Sequence, residues 1–137
     1  MRHALYLIFI VWLGCRPPEP PPPANGLVGV WRNQASEFAP EPCRQASIEF
    51  RNDSTVFLKT GKQTLTASYS VEHGPSRLVV QQQDLRSNGE PNCQGISAEF
   101  VLEHYVNPLY VDVAGDTLRI YRAAQDHDPF MTALRVR

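Results

Sequence analysis

The chain has no surplus of basic charge: thirteen Lys and Arg stand against fourteen Asp and Glu, a net charge of −1. Neutralising phosphates favours such a surplus, so an electrostatically driven nucleic-acid binder is not expected. Long apolar runs are missing too. A membrane-spanning helix needs about 20 consecutive apolar residues, and the N-terminal run Ala4–Leu13 provides ten. From Gly26 onward no window repeats apolar residues at i, i+3, i+4 and i+7 through three turns, so long amphipathic helices are not expected. The signatures of a phosphate loop, a nucleophile elbow, a dinucleotide fold and a zinc protease are absent. Cysteine is scarce, with three in 137 residues. What is left is ordinary globular composition, with mean hydropathy −0.31, and length for one domain.

Proline is plentiful only locally, since six of the twelve lie between Pro17 and Pro23. Ahead of them, Met1-Arg2-His3 is a basic start, and the apolar run that follows would span roughly 15 Å as a helix, half of a bilayer core. That is the length of a secretory hydrophobic region. Leu13-Gly14-Cys15 then resembles the end of a bacterial lipobox, in which a small residue precedes a cysteine that is lipidated and becomes the new N-terminus. The resemblance implies a signal peptide over 1–14, a diacylglyceryl group on Cys15 and display at the bacterial cell envelope. The non-acidic Arg16 after that cysteine points to the outer membrane, where the organism has one. Residues 15–25 follow as a lipidated, Pro-rich tether. Proline lacks the amide donor that helix interiors and central strands need. The tract is therefore expected to extend as polyproline II at about 3.1 Å per residue, roughly 25 Å over eight residues.

With Cys15 assigned to lipid, Cys43 and Cys93 are left as an even pair in an oxidising compartment, where a disulfide is expected. Each follows a polar stretch, Pro40-Glu41-Pro42 and Glu90-Pro91-Asn92, just ahead of a strand-like run. Two free thiols are the alternative reading. Metal ligation has no Cys-x-x-Cys or Cys/His cluster to support it.

Period-two alternation dominates residues 26–137. Ile48 and Phe50 alternate with Glu49 and Arg51, and Leu65, Ala67, Tyr69 and Val71 with Ser, Thr and Glu. Ile96, Ala98, Phe100 and Leu102 alternate with Ser97 and Glu99 in the same way. Turn chemistry at Asn52-Asp53, Gly61, Gly74-Pro75, Asn88-Gly89, Asn107-Pro108 and Gly115-Asp116 separates the runs. About nine strands follow: 27–33, 45–51, 54–60, 64–72, 77–83, 96–105, 109–113, 117–122 and 131–136. The fold class is all-β, a meander that either closes into a small antiparallel up-and-down barrel or packs as a two-sheet sandwich.

Gly29-Val30-Trp31, in the first predicted strand, resembles the Gly-x-Trp signature of the lipocalin and calycin families. Behind a lipobox, the pattern is most similar to short bacterial lipocalin-like lipoproteins. The resemblance implies closure, with Trp31 plugging one end of the barrel beneath a basic residue from a late strand. Arg122, sharing the parity of Leu118 and Ile120, is the first candidate for that residue, with Arg135 and Arg137 as the others. The stretches 34–44 and 123–130 are too short for the cap and side helices of larger lipocalins, so a deep, lidded cavity is not expected.

Chemistry is sparse. His73 and His104 share the inward parity of their strands near strand ends. Together with Asp112 or Asp116 they form the candidate metal or acid–base site, against the plainer reading of hydrogen-bonded rim histidines. Asp126-His127-Asp128 reads as a solvated loop. Trp31, Phe50, Tyr69 and Phe100 either fill the barrel or line an apolar pocket, and Tyr69, Phe100, His73 and His104 are the candidate ligand contacts. The expected function is that of a membrane-anchored, monomeric, non-catalytic binding module without a cofactor. Its partner would be a small apolar molecule or an envelope protein. A structural envelope lipoprotein is the alternative, and an enzyme or metal site using the rim histidines is a third.

Overall fold

The computed structural model describes residues 26–34 and 38–137. The apolar run 4–13, Cys15 and the Pro-rich stretch lie outside the described residues. Eight antiparallel strands follow one another around a closed barrel. They are β1 (Gly29–Asn33), β2 (Ser47–Phe50), β3 (Thr55–Thr60), β4 (Gln63–His73), β5 (Leu78–Ser87), β6 (Leu109–Ala114), β7 (Thr117–Tyr121) and β8 (Met131–Arg135). Two short helices interrupt them, α1 (Glu41–Arg44) and α2 (Ala98–Glu103). Closure is decided by the seam between β1 and β8, where Trp31 pairs with Arg135, Arg32 with Leu134 and Asn33 with Ala133. The sandwich alternative is thereby excluded.

The alternation read from the sequence is the inside–outside pattern of the barrel wall. On β4 the buried Gln63, Leu65 and Ala67 alternate with Thr64, Thr66 and Ser68. Val80, Leu109, Val111, Leu118 and Ile120 join Trp31, Ile48 and Phe50 in one interior cluster. Each fully buried Leu, Ile or Phe side chain contributes about 1.5–3 kcal/mol through burial.

The ninth strand, expected over 96–105, is not a strand. Residues Ala98–Glu103 form α2, with the Ser97 hydroxyl capping it by accepting from the Phe100 amide. Ala, Glu and Leu favour a helix, and an apolar window this short fits either period. The helix occupies a gap. Only three residue pairs join β5 to β6, from Leu78↔Val111 to Val80↔Leu109, so the upper half of β5 has no strand partner on that side. The Asn107 side chain extends the ladder by one step, accepting from the Gln82 amide at 3.0 Å and donating to its carbonyl at 2.9 Å.

Two clasps hold the wall from outside. Arg77 crosses from the β4–β5 turn to stack 3.4 Å over the Tyr121 ring. Its guanidinium donates to Asp112 and to the carbonyls of Ala123, Ala124 and Asp126. Tyr121 is thus buried although it faces outward. The second clasp is the Cys43–Cys93 disulfide, which ties α1 to the β5–β6 connection. Free thiols are ruled out as the folded arrangement. Gly61, in the β3–β4 turn, has φ +65°, and a Cβ there would stand 3.1 Å from the Cys93 Cα. Only glycine offers both that conformation and that clearance.

A disulfide between residues separated by 50 positions removes unfolded-state freedom worth about 2–4 kcal/mol. The Cys43→Ser/Cys93→Ser double variant should lose about that much in urea unfolding while keeping its β-rich circular dichroism. An unchanged unfolding midpoint would show that the staple does not carry stability.

Candidate ligand cavity at the barrel mouth

Strand direction sorts the connections into two ends. The β2–β3, β4–β5 and β6–β7 turns and the start of β1 share one end, and the tight β3–β4 turn and the long β1–β2, β5–β6 and β7–β8 connections lie at the other. The first end is plugged. Trp31 has no exposed surface, and its indole N–H donates to the Leu27 carbonyl at 2.8 Å. The Arg135 guanidinium lies 4.2 Å from the centre of the indole and donates to the Val28 carbonyl at 2.8 Å and to the Gly26 carbonyl. Asp116 pairs with both Arg135 and Arg137. Gly29 makes this possible: its φ is +143°, and a Cβ there would meet the Arg135 Nη1 at 2.6 Å.

Arg135, not Arg122, is therefore the residue over Trp31. The parity argument for Arg122 fails because β7 runs from the plugged end toward the mouth, so a residue just past Tyr121 lies at the end away from the plug. Arg122 instead lies at the opposite end, 5.3 Å over the Phe130 ring. Arg137 is exposed and bound to Asp116.

The other end holds a cavity of about 450 Å³. Its floor is Ile48, Leu58, Leu109, Ile120 and Met131, and its roof is Phe100, Val101, Tyr105 and Val106 from α2 and the segment that follows. Thr60, Gln63, Asn92, His104 and Arg122 supply the polar part of the lining. The cavity is open at the mouth, and the residues that partly overhang it come from the β5–β6 connection and not from the first loop.

The polar groups are partnered unequally. Gln63 is buried and donates to the Glu90 carbonyl at 2.9 Å. The Tyr105 hydroxyl donates to the Gln82 Oε1 at 2.8 Å, and burial pushes its ionisation above the usual tyrosine value. The Thr60 hydroxyl and the Gln82 Nε2 are both buried with no hydrogen-bond partner among the described residues.

Of the sequence-derived ligand contacts, Phe100 and His104 do line the cavity. They share a face because they are four apart on a helix, their rings stacked at 4.0 Å, and not because of strand parity. Tyr69 packs edge-on against Phe50 at 5.1 Å and donates to the Arg51 carbonyl at the plugged end. His73 ends β4 and borders a shallow polar depression with Arg77 and Asp112, also at the plugged end. The two histidines therefore sit at opposite ends and form no joint site, and Asp112 and Asp116 are engaged by arginines. Asp126 caps its own loop by accepting from the Ala123 amide, and no group of three or more His, Cys, Asp or Glu among the described residues can hold a metal. Tyr105, Thr60 and the floor were missed, since a position's height in a barrel depends on stagger that no single strand encodes.

In comparisons with known proteins, no family model, curated protein or solved structure matches this chain.

The raised ionisation of Tyr105 sets a pH dependence. The folded chain keeps this proton where the unfolded chain, near the ordinary value of 10.0, has lost it. Its contribution is full below that value and falls as pH rises through the folded one. Unfolding midpoints measured from about pH 9 to about pH 11 should fall more steeply for the wild type than for Tyr105→Phe. Parallel slopes would show that the hydroxyl is not buried in solution.

Proposed function

We propose that the protein is a membrane-anchored, lipocalin-like lipoprotein whose barrel is a non-catalytic carrier of a small apolar molecule. The observation that carries this reading is the cavity of about 450 Å³ with an apolar floor and roof, opposite the Trp31 plug. Small-molecule sites run roughly 300–1,000 Å³ and are mostly apolar with a few polar groups, which is the composition found here. Fold alone would not support the reading, because barrels serve many activities. Anchoring rests on the lipobox resemblance at Leu13-Gly14-Cys15. Gly26 lies at the plugged end, opposite the mouth. A structural envelope role is the second reading, favoured by the filled lower barrel around Trp31 and Phe50.

N-phenyl-1-naphthylamine, a neutral apolar fluorophore, should brighten on binding the wild type. Val101→Trp, which places a large ring under the roof, should weaken that binding by about tenfold or more, equivalent to about 1.4 kcal/mol. Equal binding by the two proteins would place the ligand elsewhere. For the anchor, labelled fatty acid should enter the wild-type protein in a bacterial host and be absent from Cys15→Ala. Labelling that survives in the variant would remove the lipobox reading.

A further inference from the structure

We propose that the outer face of β7, β8 and β1 is a docking surface for an anionic lipid bilayer, so that the barrel lies with this wall on the membrane. The proposal rests on the anchor reading at Cys15 and adds which face of the domain meets the bilayer. Exposed apolar surface, charge and the entry point of the tether lead to it.

Of the six large apolar side chains exposed among the described residues, three are Val30, Leu134 and Val136. They are neighbours across the seam. The Val136 amide donates to the Val30 carbonyl, and Leu134 pairs with Arg32 on β1 and with Thr117 on β7. Trp31 and Arg135 form the plug, so their strand neighbours Val30, Arg32, Leu134 and Val136 face outward. The wall across the barrel is different in kind: β4 shows Thr64, Thr66, Ser68 and Ser70 on its outer side.

Charge gives the face a sign. β7, β8 and β1 contain no Asp or Glu. Arg32 and Arg119 are exposed on these strands, and neither takes part in an ion pair among the described residues. The carboxylates bordering the face are already held: Glu49 on β2 by Arg51, Asp112 on β6 by Arg77, and Asp116 by Arg135 and Arg137. Two uncompensated cations beside an apolar cluster match anionic headgroups lying over hydrocarbon. The remaining exposed apolar residues, Phe38, Phe100 and Phe130, stand on the mouth connections. Those connections also expose Glu41, Glu99, Glu103 and Asp128, so the mouth lacks this sign.

The tether enters beside the same cluster. Gly26 is at the plugged end, as are Val30 near the start of β1 and Val136 just past the end of β8. Extended at about 3.1 Å per residue, residues 15–25 span roughly 34 Å. A domain held that close to the surface has an effective concentration of order millimolar, so a face that binds weakly by itself docks once the lipid is inserted.

The test uses the full chain as a bacterial host processes it, reconstituted on vesicles of phosphatidylglycerol and phosphatidylethanolamine that contain a brominated lipid. Leu134→Trp and Ser70→Trp each add an exposed indole, on opposite walls, and the wild type with Trp31 buried sets the background. Bromine should quench Leu134→Trp about twofold or more beyond Ser70→Trp. Adding Arg32→Gln and Arg119→Gln to Leu134→Trp should lower the ratio of docked to undocked barrel about thirtyfold and remove that excess. Vesicles of phosphatidylcholine alone should remove it as well. Equal quenching of the two indoles would overturn the proposal, as would an excess indifferent to the arginines and to lipid charge. In either case flotation with the vesicles leaves the anchor reading standing, whereas a protein that does not float overturns both. A dimer in solution that Leu134→Asp separates, without excess quenching, would overturn the proposal and assign the face to a second copy of the chain.

Discussion

Burial of the Trp31 indole beneath the Arg135 guanidinium is the contact on which the rest of the barrel depends. It sits at the β1–β8 seam, where Trp31 and Arg135 are paired residues, so the contact that fills one end also closes the sheet. Losing a ring of this size from a core costs about 3–5 kcal/mol, and a partly desolvated cation over an indole adds about 1–2 kcal/mol. Arg135 also satisfies the carbonyls of Gly26 and Val28, which precede the first strand. Ring, cation and carbonyls meet only because Gly29 lacks a side chain. Glycine, tryptophan and a late arginine are thus three parts of one joint. Closing one end by this means leaves the connections at the other end free to grow.

The longest of these connections, between β5 and β6, takes that freedom and is fixed by few contacts. An unpaired upper β5 would be an exposed edge, a template for association with another chain. Asn107 covers the first step of that edge with its side-chain amide, and α2 packs against the remainder. No residue of α2 is fully buried. The helix is held instead by its Ser97 cap and by the disulfide a few residues upstream, so it can roof a cavity without filling it.

How much of this was legible depended on whether the signal was local. Alternation along 64–72 and 109–120 records which side chains face inward, and the strands there fall within a few residues of expectation. Closure itself followed from a three-residue resemblance, and the disulfide from counting cysteines. Alternation could not separate a strand from a helix over six residues, so Ala98–Glu103 was misread. It also could not say which end of the barrel a residue occupies. His73 and His104 have matching parity only in the sequence pattern: His73 ends β4 at the plugged end, His104 ends α2 at the mouth, and Arg122 follows Ile120 in parity yet lies at the mouth, away from Trp31. Trp31 could be read as a plug, whereas its partner could be chosen only after the seam was known. Thr60 and Tyr105 carried no signal, because what distinguishes them is neighbours from other strands.

The cavity imposes an energetic condition of its own. A dry void in a packed core costs about 24 cal/mol per Å³. At about 450 Å³ the penalty would be of order 11 kcal/mol, comparable with the whole stability of a domain, about 5–15 kcal/mol. A sealed space of this size could not stand empty, and this one is open at the barrel mouth. It is wetted from the mouth or it is occupied. Water accounts well for the Thr60 hydroxyl and for the rim around Asn92 and Arg122, and poorly for the floor of Leu58, Ile120 and Met131. Displacing water held against that floor is the largest favourable contribution open to a ligand. The polar atoms, spread around the mouth and along the β3–β4 side, would set which apolar molecule gains from it.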